Sequence, residues 1–355
     1  MCDILIIGSG YFAEVMIADL AATARMPLRV VLGGRNAARL DWLSTAGNSR
    51  AANFGTAVSF TPQILDSTSA ETLAPAMATL KPGIVVLSAS IQSPWKVDNL
   101  DSDWALLVNR AGFGVTIAFH ALLASRAARA VRMAVPDASF VNTCYPDGVN
   151  PLLHAAGLPI TCGVGNISIF STVVAGRLPL EDRARLRVLA HHQHLVEWRK
   201  PGAQRGGTPV RAWMGDAPIP DVDALTRDIQ LPYRDLNLIS GAGAVPVLRA
   251  LAGEGAALCH VPGPAGLPGG YPVWVDKGRV TLDLPKGVAR DEAIAWNRTF
   301  EDADGVGISD GRVTYAPRAR EALAAISPEL ADGFAVGDVE QAAAALGTLR
   351  QTLGG

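Results

Sequence analysis

The chain opens on four consecutive aliphatics, Ile4 to Ile7, and then changes period, the apolar positions from Tyr11 to Leu20 recurring at helical spacing. A continuous apolar run is the signature of a strand buried on both faces of a parallel sheet. The alternation continues with strands at Leu28 to Leu32, Ala57 to Phe60, Ile84 to Ser88 and Ala138 to Thr143, and with a helix at Ser69 to Leu80. From Asp103 to Val135 the pattern is helical, broken at Gly112-Phe113-Gly114, with Val115 to Phe119 open between helix and short strand. A short strand at Ile160 to Cys162 and a helix through Ile169 to Leu178 follow. Strands alternating with helices predict a doubly wound parallel sheet that takes ligands at the carboxyl edge of its strands.

The second half reads differently. Leu186 to Ala190 has the pattern of a strand and runs into His191, His192 and His194, while Arg199 to Asp216, rich in Gly, Arg and Pro, reads as an exposed loop or lid. Asn237 to Leu251 is an apolar helix whose Ser240-Gly241-Ala242-Gly243 permits close approach to the cofactor domain or another subunit. Tyr271 to Val275 and Arg279 to Leu284, joined by Asp276-Lys277-Gly278, form a predicted hairpin. Helices at Ala289 to Phe300, Pro317 to Ile326 and Val339 to Leu353 flank a strand at Val313 to Tyr315. The fold class is therefore α/β, with an N-terminal Rossmann domain over residues 1–147 and an α+β substrate domain over 148–355.

The turn between first strand and first helix carries G-x-G-x-x-A as Gly8, Gly10 and Ala13. Gly8 allows the tight turn, Gly10 lets a pyrophosphate approach the backbone, and Ala13 lets helix and strand pack closely. The amides and positive dipole end of the helix, which opens at Tyr11 and Phe12, then face the phosphates. About 20 residues past the glycines an NAD site places an acid for the ribose hydroxyl; here stands Arg35, followed by Asn36. A guanidinium at that strand end pairs with a 2′-phosphate, so NADP is expected and NAD is the lesser alternative. Ser88, Ala89, Ser90, Thr143 and Tyr145, at neighbouring strand ends, complete the expected cofactor contacts. The loop from Ile91 to Asp101 offers Trp95 and Lys96 toward substrate, as does Asn166 from the next turn.

A hydrophobic share of 49% with 18% charged residues supports a large core, and a net charge of −2 gives no field for nucleic acid or anionic lipid. Cys2, Cys144, Cys162 and Cys259 show no C-x-x-C spacing, no secretory leader is read at the N-terminus, and no apolar stretch of about 20 residues is present. Free thiols, a cytoplasmic location and no membrane partner follow as expectations. Cys144 reads as a buried thiol and His120, in an apolar stretch, as packed core.

The order of motifs from Ser88 to His194 resembles the lactate/malate dehydrogenase superfamily: a strand and loop, a long helix, a strand into Asn142 to Asp147, the turn and helix Gly163 to Thr172, and Val188-Leu189-Ala190-His191-His192-Gln193-His194. The resemblance implies a redox enzyme in which His192 holds the place of the family's catalytic histidine, taking a proton from a substrate hydroxyl and returning it to the carbonyl. The aspartate that orients this histidine has no counterpart in Asn166-Ile167-Ser168-Ile169-Phe170, and the arginine that clamps the substrate carboxylate is missing. Opine-type dehydrogenases, which reduce an imine, and NAD-dependent glycosidases, which also need a divalent metal, share the layout. Continued strand geometry sets His192 and His194 on one face and His191 on the other.

The reading is an NADP-dependent oxidoreductase acting on a carbonyl or imine of a small molecule, with His192 as acid/base, His194 beside it, no resident metal, and, by analogy of fold, a homodimer. A metal pair of His192 and His194, with glycoside cleavage, and a catalytically silent NADP sensor are the alternatives.

Overall fold

Ile4–Ile7, buried throughout, form the central strand β1 of a six-stranded parallel sheet. The computed structural model describes residues 2–92, 102–233 and 235–355. After β1 come α1 (Tyr11–Thr23), β2 (Leu28–Gly34), α2 (Ala37–Phe54), β3 (Val58–Ile64), α3 (Ala70–Leu80) and β4 (Ile84–Leu87). Then follow α4 (Asp103–Ala111), α5 (Ile117–Ala134), β5 (Ser139–Asn142), α6 (Pro146–Ala155), β6 (Cys162–Gly163) and α7 (Asn166–Ala175). The strand order is β3-β2-β1-β4-β5-β6, with Ile4 paired to Val30 on one side and to Ile84 on the other. The connection from β3 to β4 crosses β1, so the chain reverses direction across the sheet beside β1 and β4, and a cleft opens at their carboxyl ends.

The remaining chain builds three small antiparallel sheets. The first segment is β7 (Leu186–Leu189), α8 (His194–Trp198), β8 (Arg211–Met214), β9 (Ala217–Pro218), α9 (Val222–Leu225) and α10 (Asn237–Leu251). Next come β10 (Ala257–Pro262), β11 (Gly270–Asp276), β12 (Arg279–Leu282), α11 (Arg290–Arg298) and α12 (Glu301–Asp304). The last segment is β13 (Val306–Ser309), β14 (Arg312–Tyr315), α13 (Pro317–Ala324), α14 (Pro328–Ala331), β15 (Phe334–Ala335) and α15 (Val339–Thr352). The β11–β12 turn places Lys277 and Gly278 at φ 34° and 75°, the pair of positive angles that a tight hairpin requires.

Two expectations change. Val115 belongs to a 3₁₀ turn, Phe113–Thr116, that runs directly into α5, so this stretch is helical and adds no strand. The segment from Arg199 to Asp216 is not wholly loop: β8 pairs with β7, Ala212 joins the apolar cluster of Leu186 and Val188, and Trp213 faces the cluster of Leu189 on the other side. Alternation over only four residues was hidden among Gly, Arg and Pro neighbours.

Side chains on one face of the main sheet pack with α3, α5 and α15 in a cluster that also takes Val306, Val313 and Leu323 from the end of the chain. Arg126 on α5 makes a two-pronged ion pair with Glu340 on α15, its Nε donating to Oε1 at 2.8 Å. The C-terminal segment is thereby part of the sheet's own core. On the other face α10 lies against α1: a Cβ on Gly241 would fall 2.8 Å from Val15, so the small residues serve packing against the nucleotide-type layer. Among the described residues, no helix is long and apolar enough to cross a membrane.

Gly47 on α2 shows how tight this layer is, since an added Cβ would sit 2.7 Å from the Phe60 ring and 3.0 Å from Ile17. Gly47→Ala, a change that favours a free helix, is expected to destabilise the protein by about 1–3 kcal/mol through overpacking. Equilibrium urea unfolding measures it; an unchanged or raised stability would show that the layer relaxes.

Candidate functional site

At the carboxyl edge, Gly8 has φ 128° and packs so closely on β4 that a Cβ there would lie 2.2 Å from the Ser88 carbonyl oxygen. Gly10, the N-cap of α1, is the opposite case: its missing Cβ faces open space. Among the described residues, no side chain caps α1. The amides of its first turn are therefore left toward the open side of the turn, an arrangement suited to phosphate oxygens. Arg39 on α2 braces the turn, its Nε donating to the Ser9 carbonyl at 3.2 Å and its Nη2 pairing with Glu14 at 2.6 Å.

Two cavities meet over this edge. One, about 800 Å³, is lined by Gly8, Ser9, Arg35, Asn36, Ala89, Ser90 and Arg126 among others. The second, about 420 Å³, is lined by Gly10, Tyr11, Phe12, Ser88, Thr143, Tyr145, Asn166 and His192, and shares Ala89 and Ser90 with the first. Each expected cofactor residue thus lines one or other of these adjoining cavities, and Ala89 and Ser90 line both. Asn36 caps α2, its Oδ1 accepting from the Arg39 amide at 3.0 Å, and Asp66 beyond β3 lies within electrostatic reach of both Arg35 and Arg126. Trp95 and Lys96 lie outside the described residues.

The histidines depart from the expected strand. After β7 ends at Leu189, Ala190 bridges to Gly270, and His191 to Gln193 form a turn that leads into α8 at His194. His192 and His194 do not share a face. The turn points His192 into the second cavity and sends His194 into the core, where its Nδ1 pairs with the His191 backbone and its ring stacks 5.6 Å from Trp296. His191 instead lies beside His192, ring centroids 4.7 Å apart.

The carboxylate that holds His192 comes from α12. Asp304 Oδ1 lies 2.9 Å from His192 Nε2 and accepts from Gln193 Nε2 at 2.8 Å, and its Oδ2 accepts from the Tyr145 hydroxyl. A second carboxylate, Asp147, accepts from the His192 backbone N–H at 3.2 Å and from Asn166 Nδ2 at 3.1 Å. Among the described residues, His192 Nδ1 has no hydrogen-bond partner, and it lies 4.0 Å from Asp147 Oδ1. Asp147, His191 and His192 bring one ligand atom each within 4.8 Å of one another.

Local glycines make this approach possible. Cβ atoms at Gly112 and Gly114 would lie 2.6 and 2.7 Å from the Asp304 carbonyl oxygen, and Gly305 turns the chain at φ 90°. The Gly112-Phe113-Gly114 break therefore admits the end of α12 and sets the Phe113 ring 5.0 Å from that of Tyr145.

Burial pushes the His192 imidazole toward its neutral form, but the charge and hydrogen bond of Asp304, with Asp147 behind, win and hold its pKa above the ordinary histidine value. Burial likewise opposes ionisation of Asp304, whose carboxyl is held below the usual range by His192, His191 and Tyr145. The two directions agree on a charged pair. Burial leaves His191 and His120 at about 4 and lifts the Cys144 thiol to about 11, so none of these ionises near neutrality. His120 is buried, as expected of core, but it also lines the second cavity.

Among solved structures, lplD of Bacillus subtilis, named as a glucosidase, aligns with 97% of this chain and 99% of its own at 17% identity and a TM-score of 0.53. The likeness is one of fold. The lactate dehydrogenase of Cryptosporidium parvum, solved with lactic acid and β-nicotinamide adenine dinucleotide, covers 85% of this chain and 96% of its own (15% identity, TM-score 0.49). The malate dehydrogenase of Aeropyrum pernix covers 84% and 94% (16% identity, TM-score 0.47). No protein family and no curated protein matches the sequence.

Removing the Asp304 charge reverses the balance at His192. In Asp304→Asn the imidazole pKa is expected to fall from above its ordinary value of about 6.5 to below it, since burial then dominates. An NMR titration of the ring Cε1 proton reads this, and an unmoved midpoint would show that Asp304 does not set it.

Proposed function

We propose that this protein is a nicotinamide-dinucleotide-dependent oxidoreductase acting on a carbonyl or imine carbon of a small molecule. The observation that carries the reading is the pair of cavities that adjoin at Ala89 and Ser90: a glycine turn with open amides between them, Arg35 in one, and His192, paired with Asp304, in the other. Residues 1–147 would bind the dinucleotide, and 148–355 would supply His192, Asp304 and the substrate side.

Gly8, Gly10 and the first turn of α1 would hold the pyrophosphate, Arg35 the adenosine ribose, and Ser88, Ala89, Ser90 and Thr143 the nicotinamide end. When bound, the dinucleotide supplies or accepts a hydride at the substrate carbon. His192 carries the matching proton on its imidazole, with Asp304 stabilising the charged ring at Nε2. Nδ1, the nitrogen that Asp304 leaves free, is buried 4.0 Å from Asp147 Oδ1. Asn166 and Gln193 stand beside the second cavity as neutral hydrogen-bonding groups. We assign NADP preference to Arg35, because no acid stands at the end of β2, and we extend the reading to a cytoplasmic homodimer.

One observation favours a second reading, metal-assisted redox cleavage of a glycoside: Asp147, His191 and His192 bring ligand atoms together, and His192 Nδ1 has no partner among the described residues. Metal analysis of the purified protein separates the two. A divalent ion retained at one per chain and lost in His191→Ala would favour it, and a metal-free, fully active sample would remove it.

Fluorescence titration with NADPH and NADH tests the first reading. NADPH is expected to bind more tightly, and Arg35→Ala to weaken NADPH alone, by about tenfold or more; no binding of either nucleotide would overturn the proposal. His192→Ala is expected to lower kcat by about 10²–10⁴ with the nucleotide Kd unchanged.

A further inference from the structure

Asp304 is a buried carboxylate, and a buried carboxylate persists only where both oxygens find donors. Oδ1 is served by two side chains, His192 and Gln193. Among the described residues, Oδ2 has one donor, the hydroxyl of Tyr145. The protein goes to some length to place that phenol. Tyr145 has φ 46° and ψ 54°, a left-handed conformation unfavourable for a residue with a Cβ, directly before Pro146 at the start of α6. Gly148 leaves room for the ring, since a Cβ there would lie 2.8 Å from its Cε1 and Cζ. The ring then stands between two imidazoles, 5.2 Å from His192 and 5.8 Å from His120, with Phe113 packed on its edge.

We propose that Tyr145 is a positioning residue that acts on His192 through Asp304, its hydroxyl fixing Oδ2 so that Oδ1 faces the His192 Nε2. The inference rests on the redox reading of the site, and it gives Tyr145 a role other than contact with the nucleotide. Without the hydroxyl, Oδ2 has no donor, and the carboxylate relieves this by rotating away from His192 or by taking up a proton. Either change alters the hydrogen bond at Nε2.

The test combines a measurement that needs no cofactor with one that does. In ¹⁵N NMR of the imidazole nitrogens at fixed pH, with His192 assigned by its loss in His192→Gln, Tyr145→Phe is expected to shift the His192 signals. In an Asp304→Asn background the same change is expected to leave them where they are. Gly148→Ala, which must displace the ring, should reproduce the shift of Tyr145→Phe while keeping the hydroxyl, and so serves if Tyr145→Phe folds poorly. In turnover, Tyr145→Phe should lower kcat by about tenfold to a hundredfold, as for a lost hydrogen bond to a charged group, with the NADPH Kd unchanged. Asp304→Asn should cost more, and the double variant no more than Asp304→Asn alone.

Unmoved His192 signals in Tyr145→Phe, or a loss that multiplies with that of Asp304→Asn, would overturn the inference. A weakened NADPH Kd with kcat intact would return Tyr145 to nucleotide contact. If wild-type protein turns over no carbonyl or imine, the redox reading fails, while the NMR comparison still decides whether Tyr145 acts on His192 through Asp304.

Discussion

A carboxylate shut away from water is costly unless every oxygen is answered, and the candidate site of this protein is arranged around one. Asp304 lies at the end of α12, far along the chain from the parallel sheet, yet it accepts from Tyr145 after β5 and meets His192 and Gln193 after β7. The approach is so close that Gly112 and Gly114 have no room for side chains. A buried ion pair of this kind contributes little net stability, because desolvation opposes the attraction; what it does is fix one imidazole in one orientation and charge state. The left-handed Tyr145, the glycine break before α5 and the short helix α12 follow from bringing these groups together.

The parallel sheet was legible because its signals are local. Ile4–Ile7 and the turn after it read correctly in isolation, the strand expected over Ile84 to Ser88 ends one residue earlier, and the crossover rules point to the edge at which such sheets take ligands. Strand ends were less legible: β2 and β3 run on to Gly34 and Ile64, because pairing with neighbours extends a strand past the point where its apolar pattern stops. The β8 strand was missed for the related reason that its partner, β7, lies some distance back in sequence.

The histidine turn failed in an instructive way. Periodicity extended the strand through His194, but Ala190 is its last paired residue, and a hydrogen bond from the His191 backbone to His194 Nδ1 competes with any ladder. Asp304 had no signal of its own, being one acid in an acidic stretch. The resemblance puts a carboxylate for His192 near Asn166, where the sequence has none; here Asn166 binds Asp147, and the carboxylate on His192 arrives from elsewhere. The one available hint was Gly112-Phe113-Gly114, since paired glycines inside a helical pattern mark a place where another backbone comes close.

Ala89 and Ser90 are the residues common to both cavities. Their side chains are small, and the two cavities adjoin across them. A bulky residue at either position would fill space that borders both cavities. What those two positions leave out is thus a border held in common by both cavities.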